Sequence, residues 1–266
     1  MSPSWRKRVR IALRPDGVTL ALLAHGLRPR PADVIHAPCT PAGGGAWRAP
    51  LAAADEALAA APWPAAPATV IVSNHFVRYV LVPWSARLVE EAEQLALAQH
   101  CFSEIHGSAA LEWALMLAQA RAGTPRLAAA VDRELLAELD AFCARRRLRL
   151  KSMQPYFAAA FNGVRRQIGV RDFWFVAAEP GRLCLARAAG GRWVAIRSRR
   201  VGESGLGELS ALVEREACLI DMPPGETPVF VHDAGPAGAF DDGRARALRP
   251  RAAASADGPL AMALAG

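Results

Sequence analysis

The chain has 266 residues, a hydrophobic fraction of 52% and a charged fraction of 21%, which excludes a disordered protein and suits one large domain or two lobes. No uncharged run approaches the ~20 residues that span a bilayer, and the five cysteines are scattered without a CxxC pair, which argues against a disulfide scaffold. The net charge of +7 is carried almost wholly by arginine, since only Lys7 and Lys151 are lysines; it reflects either arginine-biased coding or a basic face for acidic lipid, nucleic acid or an acidic partner.

Val9–Arg14 reads as a strand, Pro15-Asp16-Gly17 as a turn and Val18–Ala24 as the return strand of a hairpin. The apolar stretch Val18–Ala24 is too short to span a bilayer, and the stretch before it is broken by Arg14, Pro15 and Asp16 and does not read as a secretory signal, so the expected location is cytoplasmic. A third short strand is expected at Asp33–His36, then a loop over Pro38–Gly45 and an alanine-rich helix over Leu51–Ala61. Pro62–Pro67 reads as a rigid connector, and Thr69–Ser73 and Val77–Val82 as strands. Ser85 is the expected N-cap of a long helix reaching Ile105, burying Leu88, Ala92, Leu95 and Phe102 and showing Glu90, Glu91 and Glu93 to water or a partner. Strands are expected at Glu112–Gln119 and Leu127–Val131. Asp132 then caps an amphipathic helix with Leu135, Leu136, Leu139, Phe142 and Cys143 on one face and Arg145, Arg146 and Arg147 at its end. A strand at Leu148–Ser152 and a helix at Tyr156–Gln167 follow. Then come a three-stranded meander (Phe173–Ala178, Leu183–Ala188, Trp193–Ser198), a helix over Leu206–Ile220 and a strand over Pro228–His232. The tail, rich in Ala, Gly, Pro, Asp and Arg, reads as loosely ordered.

The pattern repeats although the sequence does not. Residues 9–73 run hairpin, short strand, helix, strand, and residues 172–232 run meander, helix, strand. Two such units suggest a two-lobed α/β protein whose mixed sheets have antiparallel meanders, the plan of the actin and Hsp70 superfamily with its duplicated RNase H-like core. A single α/β domain is the rival. The expected divisions are a first-lobe core over 1–85, a helix-strand insertion completing that lobe and crossing over at 86–168, a second lobe at 169–235 and a tail at 236–266.

Val82-Pro83-Trp84 before a glutamate-rich helix, the run Leu127-Ala128-Ala129-Ala130-Val131-Asp132-Arg133-Glu134-Leu135-Leu136, then Leu148-Arg149-Leu150 and Pro155-Tyr156-Phe157-Ala158-Ala159-Ala160-Phe161-Asn162 carry a resemblance. Over residues 9–235 the chain resembles the PilM-type and GspL-type actin-like cytoplasmic proteins of type IV pilus and type II secretion assembly. The resemblance implies an actin-like fold and a scaffold at the cytoplasmic face of the inner membrane, with a membrane-embedded protein partner. Without the span of the GspL type, the chain looks more like the soluble PilM type.

Nucleotide-binding members of that superfamily carry an acidic-glycine phosphate loop in the first hairpin. Here the turn is Arg14-Pro15-Asp16-Gly17, and its counterpart is Glu179-Pro180-Gly181-Arg182. Each has a proline that removes a backbone amide a phosphate could use. The adenosine-side glycines are at best Gly235 and Gly238. The resemblance therefore implies degenerate loops at Asp16, Gly17, Glu179, Gly181, Gly235 and Gly238, with ATP and magnesium doubtful and catalysis not expected.

Other clusters are weaker. Gly43-Gly44-Gly45 lacks the Lys-Ser or Lys-Thr of a Walker A loop. Ser73-Asn74-His75 lacks the elbow of a nucleophilic serine. His100 and His106 are six apart, on different helix faces, so no metal is expected. Trp84, Trp113, Trp174 and Trp193 are expected to fill cores. Arg197, Arg199 and Arg200, and Arg244, Arg246, Arg249 and Arg251, could meet anionic lipid or nucleic acid. Arg78 and Tyr79 are polar groups on an inner strand, where a long cation needs a partner or an open cleft. Asn74, His75, Arg78 and Tyr79 are therefore expected to border a partner groove between the lobes. The leading functional expectation is a non-catalytic docking scaffold; the alternatives are an actin-like ATPase with non-standard loops and a basic nucleic-acid-binding module.

Overall fold

A computed structural model describes residues 7–24, 30–40, 46–202, 207, 209–220, 227–233, 245–249 and 258–265. In the first lobe β1 (Arg8–Arg14) and β2 (Gly17–Leu23) form the hairpin, β3 (Pro31–Pro38) extends it, and α1 (Arg48–Ala60) leads to β4 (Ala66–Val72). β2 alternates its side chains between two covered faces and is buried along its whole length, whereas β3 at the sheet edge is not. Val9, Ile11 and Leu13 pack with α1 residues Leu51, Ala54 and Leu58, while Ala12 turns to a second core behind the sheet. Gly17 is required by proximity: a Cβ there would stand 2.6 Å from the Ala37 carbonyl oxygen.

After β4 the chain builds a small antiparallel sheet from β5 (Arg78–Val82), β6 (Trp113–Leu117) and β7 (Arg126–Asp132), ordered β5-β7-β6. It is covered by α2 (Glu91–His106) through Ala98 and Phe102. Asp132 accepts the Glu134 amide at 2.9 Å and so caps α3 (Arg133–Arg145), which leads to β8 (Leu148–Pro155) beside β4. Arg145 and Arg146 at the end of α3 pair with Asp55 on α1, so two of the three clustered arginines tie helices together.

The second lobe repeats the plan. The meander is β9 (Phe173–Glu179), β10 (Arg182–Ala189) and β11 (Arg192–Arg200), followed by α5 (Leu209–Cys218), β12 (Val229–Asp233) and β13 (Ala245–Ala247). The first sheet is ordered β3-β2-β1-β4-β8 and the second β11-β10-β9-β12-β13. In both, the first three strands are antiparallel, and the last two join in parallel beside the first. Two helices cross between the lobes. α4 (Tyr156–Val164), continued by a 3-10 turn at Arg165–Gln167, follows the first sheet and packs between β4 of that sheet and β9 of the second. α6 (Gly258–Ala263) follows the second sheet but packs on β1 and β2.

Several expectations need correction. α2 starts at Glu91, not near Ser85. Ser85 instead accepts the Arg87 amide in a separate turn, and Glu93 accepts the Glu90 amide at 3.2 Å, a local cap that outcompetes the serine. Glu90 and Glu93 thus sit at a helix start, and Leu88, Ala92 and Leu95 are not in the core. β4 begins inside the expected proline connector, because Pro67 lies beyond the reach of β1 and its missing donor disturbs no bond on that side. The tail is not wholly loose: β13 adds to the second sheet, and Ala261, Met262 and Ala263 of α6 are buried. Trp84 is 47% exposed rather than in a core. Gly43, Gly44, Gly45, Gly235, Gly238, Arg244 and Arg251 lie outside the described residues.

Candidate functional site: the interlobe cleft

The lobes meet where strand ends converge. β4 runs out into Ser73-Asn74-His75, and β9 runs out into Glu179 and the turn Pro180-Gly181, where Gly181 has the positive φ of 73° that glycine tolerates. The Ser73 hydroxyl donates to Glu179 Oε1 at 2.5 Å, and the Asn74 amide donates to Oε2 at 2.9 Å. Asn74 Oδ1 in turn accepts from the Tyr79 hydroxyl at 2.6 Å and from the Phe157 amide at 3.1 Å. One asparagine therefore ties the end of β4 to the inserted sheet and to the crossing helix, while one glutamate ties it to the other lobe. Nearby, Tyr156 and His232 Nδ1 share a hydrogen bond of 2.6 Å between α4 and the end of β12.

These groups are dry, and burial governs their chemistry. Burial raises the Glu179 carboxyl to about 7, against the opposing pull of its hydrogen bonds from Ser73 and Asn74 and the charge of Arg182. Burial lowers His232 to about 4, helped by the charge of Arg249. Burial, then the charge of Arg182, lowers His75, whose Nε2 lies 3.0 Å from the Pro180 carbonyl oxygen.

Outside this junction lies a cleft of about 550 Å³. Pro15 and Gly181 of the two hairpin turns face it, Trp47, Phe76 and Trp113 give it apolar walls, and Arg78, Arg182 and Arg200 give it charge. The four residues grouped from the sequence stay in contact as two pairs, Tyr79 with Asn74 and Arg78 with His75, but divide between the cleft and the interior. His75 and Arg78 line the cleft, whereas Asn74 is fully buried behind it. Tyr79 lines a different cavity with Pro83, Leu97 and Val194, because neighbours on a strand face opposite ways. Sequence reasoning missed Trp47, Trp113 and Arg182 as wall residues. The available signal was that Arg182 directly follows a hairpin turn corresponding to the one after β1.

A magnesium-bound nucleotide needs open carboxylates between such turns. Asp16 is paired with Arg14 at 3.2 Å, Glu179 is held by Ser73 and Asn74, and Asp132 accepts from the Glu134 amide and from Trp47 Nε1 at 3.4 Å. Prolines occupy the first position of both turns. Each of these carboxylates already has a partner among the described residues. Among the described residues no three His, Cys, Asp or Glu side chains are placed to hold a metal ion. Arg199 and Arg197 approach buried Glu216, Arg199 at 2.6 Å, so part of the basic end of the meander has an internal role.

No protein-family model matches the sequence, and no curated protein matches it. Solved structures do. A PilM–PilN type IV pilus biogenesis complex contains a chain 15% identical, with 97% of this chain and 96% of that one covered at a TM-score of 0.67. The cytoplasmic domain of EpsL, an inner membrane component of the type II secretion system of Vibrio cholerae, is 10% identical, with 97% and 92% covered at 0.59. A Bacteroides thetaiotaomicron protein with an actin-like ATPase fold and unknown function is 9% identical, with 88% and 85% covered at 0.57. Among the described residues no helix is long and apolar enough to cross a membrane. With its two sheets of one strand order and these neighbours, the chain has a divergent actin-like fold, of the form also seen in a chain of the PilM–PilN complex and in the cytoplasmic domain of EpsL.

Proposed function

We propose that the chain is a non-catalytic actin-like scaffold of pilus or type II secretion assembly, acting at the cytoplasmic face of the inner membrane and docking a short cytoplasmic segment of a membrane-embedded partner in the interlobe cleft. The observation that carries this reading is the cleft itself. It keeps apolar walls at Trp47, Phe76 and Trp113, while the carboxylates a metal-nucleotide would use are engaged elsewhere. Aromatic walls with a few charged groups suit an extended peptide, which gains apolar anchoring and directional pairing together. The similarity in fold to a PilM–PilN complex and to EpsL supports the choice of assembly.

The test is a two-hybrid or calorimetric measurement against the cytoplasmic segments of single-span proteins encoded beside this gene. One segment should bind, and Trp113→Ala should weaken it without shifting the thermal midpoint by more than a few degrees. Micromolar binding and turnover of Mg-ATP, with no segment bound, would instead establish the ATPase alternative.

A further inference from the structure

The cleft is lined by three arginines against one carboxylate, Asp132, which caps α3. Arg78, Arg182 and Arg200 all line it. None of the three makes an ion pair among the described residues, although Arg14, Arg145, Arg146, Arg187, Arg197 and Arg199 all do. They are close enough to oppose one another. Burial and the charge of Arg200 lower Arg78, and burial and the charges of Arg78 and Arg200 lower Arg182 against the weaker opposing pull of Glu179. Arg182 is only 9% exposed. One terminal nitrogen donates to Ser198 Oγ at 3.0 Å, but its buried Nε has no hydrogen-bond partner among the described residues. A buried guanidinium with an unsatisfied donor, beside two further cations, is costly, and an anion seated in the cleft these three groups line would offset their crowded charge. The acids nearest by position do not do so: Asp16 pairs with Arg14, Asp132 caps α3, and Glu179 accepts from Ser73 and Asn74.

We propose that the cleft reads carboxylates: its occupant is an extended acidic peptide segment whose Asp or Glu side chains meet Arg78, Arg182 and Arg200 while a neighbouring apolar side chain rests on Trp47, Phe76 and Trp113. This deepens the docking reading above and rests on it. Guanidinium forks bind carboxylates in two parallel hydrogen bonds, giving orientation as well as attraction. The aromatic walls favour a peptide over a small free anion, which would leave those rings in contact with water. Charge selects the partner twice, because an acidic segment is drawn in and a basic one is repelled by three cations.

The test presents the full chain to a displayed library of random twelve-residue peptides at low salt. An enriched peptide is then synthesised and its affinity measured by calorimetry. Enriched peptides should pair Asp or Glu with a large apolar residue. Affinity should fall roughly tenfold or more in Arg78→Gln and in Arg200→Gln, and fall again when the peptide's acids become amides, with thermal midpoints showing that the variants are folded. Arg200 stands at the exposed end of β11, so its replacement separates loss of binding from loss of fold. Enriched peptides without acids, or affinities indifferent to both arginines, would overturn the carboxylate inference and leave docking intact. Micromolar, arginine-dependent binding of sodium triphosphate with no peptide enriched would overturn both.

Discussion

The two five-stranded sheets share a strand order, but the helices that cross to cover them are built from different material. α4 brings Phe157 and Phe161 to the second sheet. There they meet Phe173, Phe175 and Trp193 at ring separations of 4.8 to 6.3 Å. α6 brings Ala261, Met262 and Ala263 to the first sheet, with Leu264 just beyond it: Met262 and Ala263 join the core of Ala12, Ile71 and Phe157, and Ala261 and Leu264 that of Ala21 and Leu23. The first junction gains from large buried rings, the second from close approach of small side chains. The α4 junction also carries the polar ties of the cleft, since Tyr156 and the Phe157 amide both belong to it. A shared topology therefore leaves room for unequal energetics, and the α4 junction, with its larger rings and polar ties, is expected to be the stronger.

The largest expected effect probes that inequality directly. Phe157→Ala should cost about 3–5 kcal/mol in urea unfolding, and Met262→Ala less, about 2–3 kcal/mol, because the surrounding alanines let α6 settle. The reverse order would break the comparison. Asn74→Ala comes next. It leaves the Tyr79 hydroxyl and the Phe157 amide without their acceptor, at about 1–3 kcal/mol for each group left unpaired. A loss below ~1 kcal/mol in the same assay would mean that the asparagine does not join the inserted sheet to α4.

A third prediction uses pH. Glu179 is raised from 4.5 to about 7, so the folded state holds a proton the unfolded state releases. Its contribution falls as pH rises between those values and stays low above them. His232 is lowered from 6.5 to about 4, so the unfolded state takes up the proton first. Its contribution is full above 6.5 and is lost as pH falls toward 4. Between about 4.5 and 6.5 the two slopes oppose each other. His75 and His106 are lowered as well and add to the rise with pH. Glu179→Gln should therefore make stability climb more steeply with pH over that range than in the parent, and His232→Gln should make it climb less steeply or fall. Urea midpoints measured from pH 4 to 8 would show both, and slopes shifted in the same direction in the two variants would contradict the assignment. The smallest effect lies far from the junction. Glu93→Ala should cost about 1 kcal/mol by removing the acceptor at the start of α2. A loss matching Asn74→Ala would show that the inserted sheet depends on its helix cap as strongly as on the cleft.

Much of the local structure could be read from the chain. The hairpin at Pro15-Asp16-Gly17, the cap at Asp132, the apolar face of α3 and the second meander follow from turn chemistry and periodicity, which act over a few residues. The start of α2 was less legible because a serine and a glutamate pair compete as caps within a few residues. β13 and α6 were hidden for another reason: a composition rich in Ala and Gly says little until a sheet edge and a sheet face are there to receive them.

The candidate site divides in the same way. Position in the chain placed His75 and Arg78 near a groove, because a polar cluster at the end of a buried strand needs somewhere to go. No local rule could show that Glu179, 106 residues beyond Ser73, reaches across to it, or that Arg182 ends with an unpartnered donor beside Arg78 and Arg200. The amino-acid order determined strands, turns, caps and the repeated plan, since each depends on neighbours within a turn or a hairpin. The folded arrangement alone decided which carboxylates are occupied and which cations stand together, since charge and burial act through space between residues that the chain holds far apart.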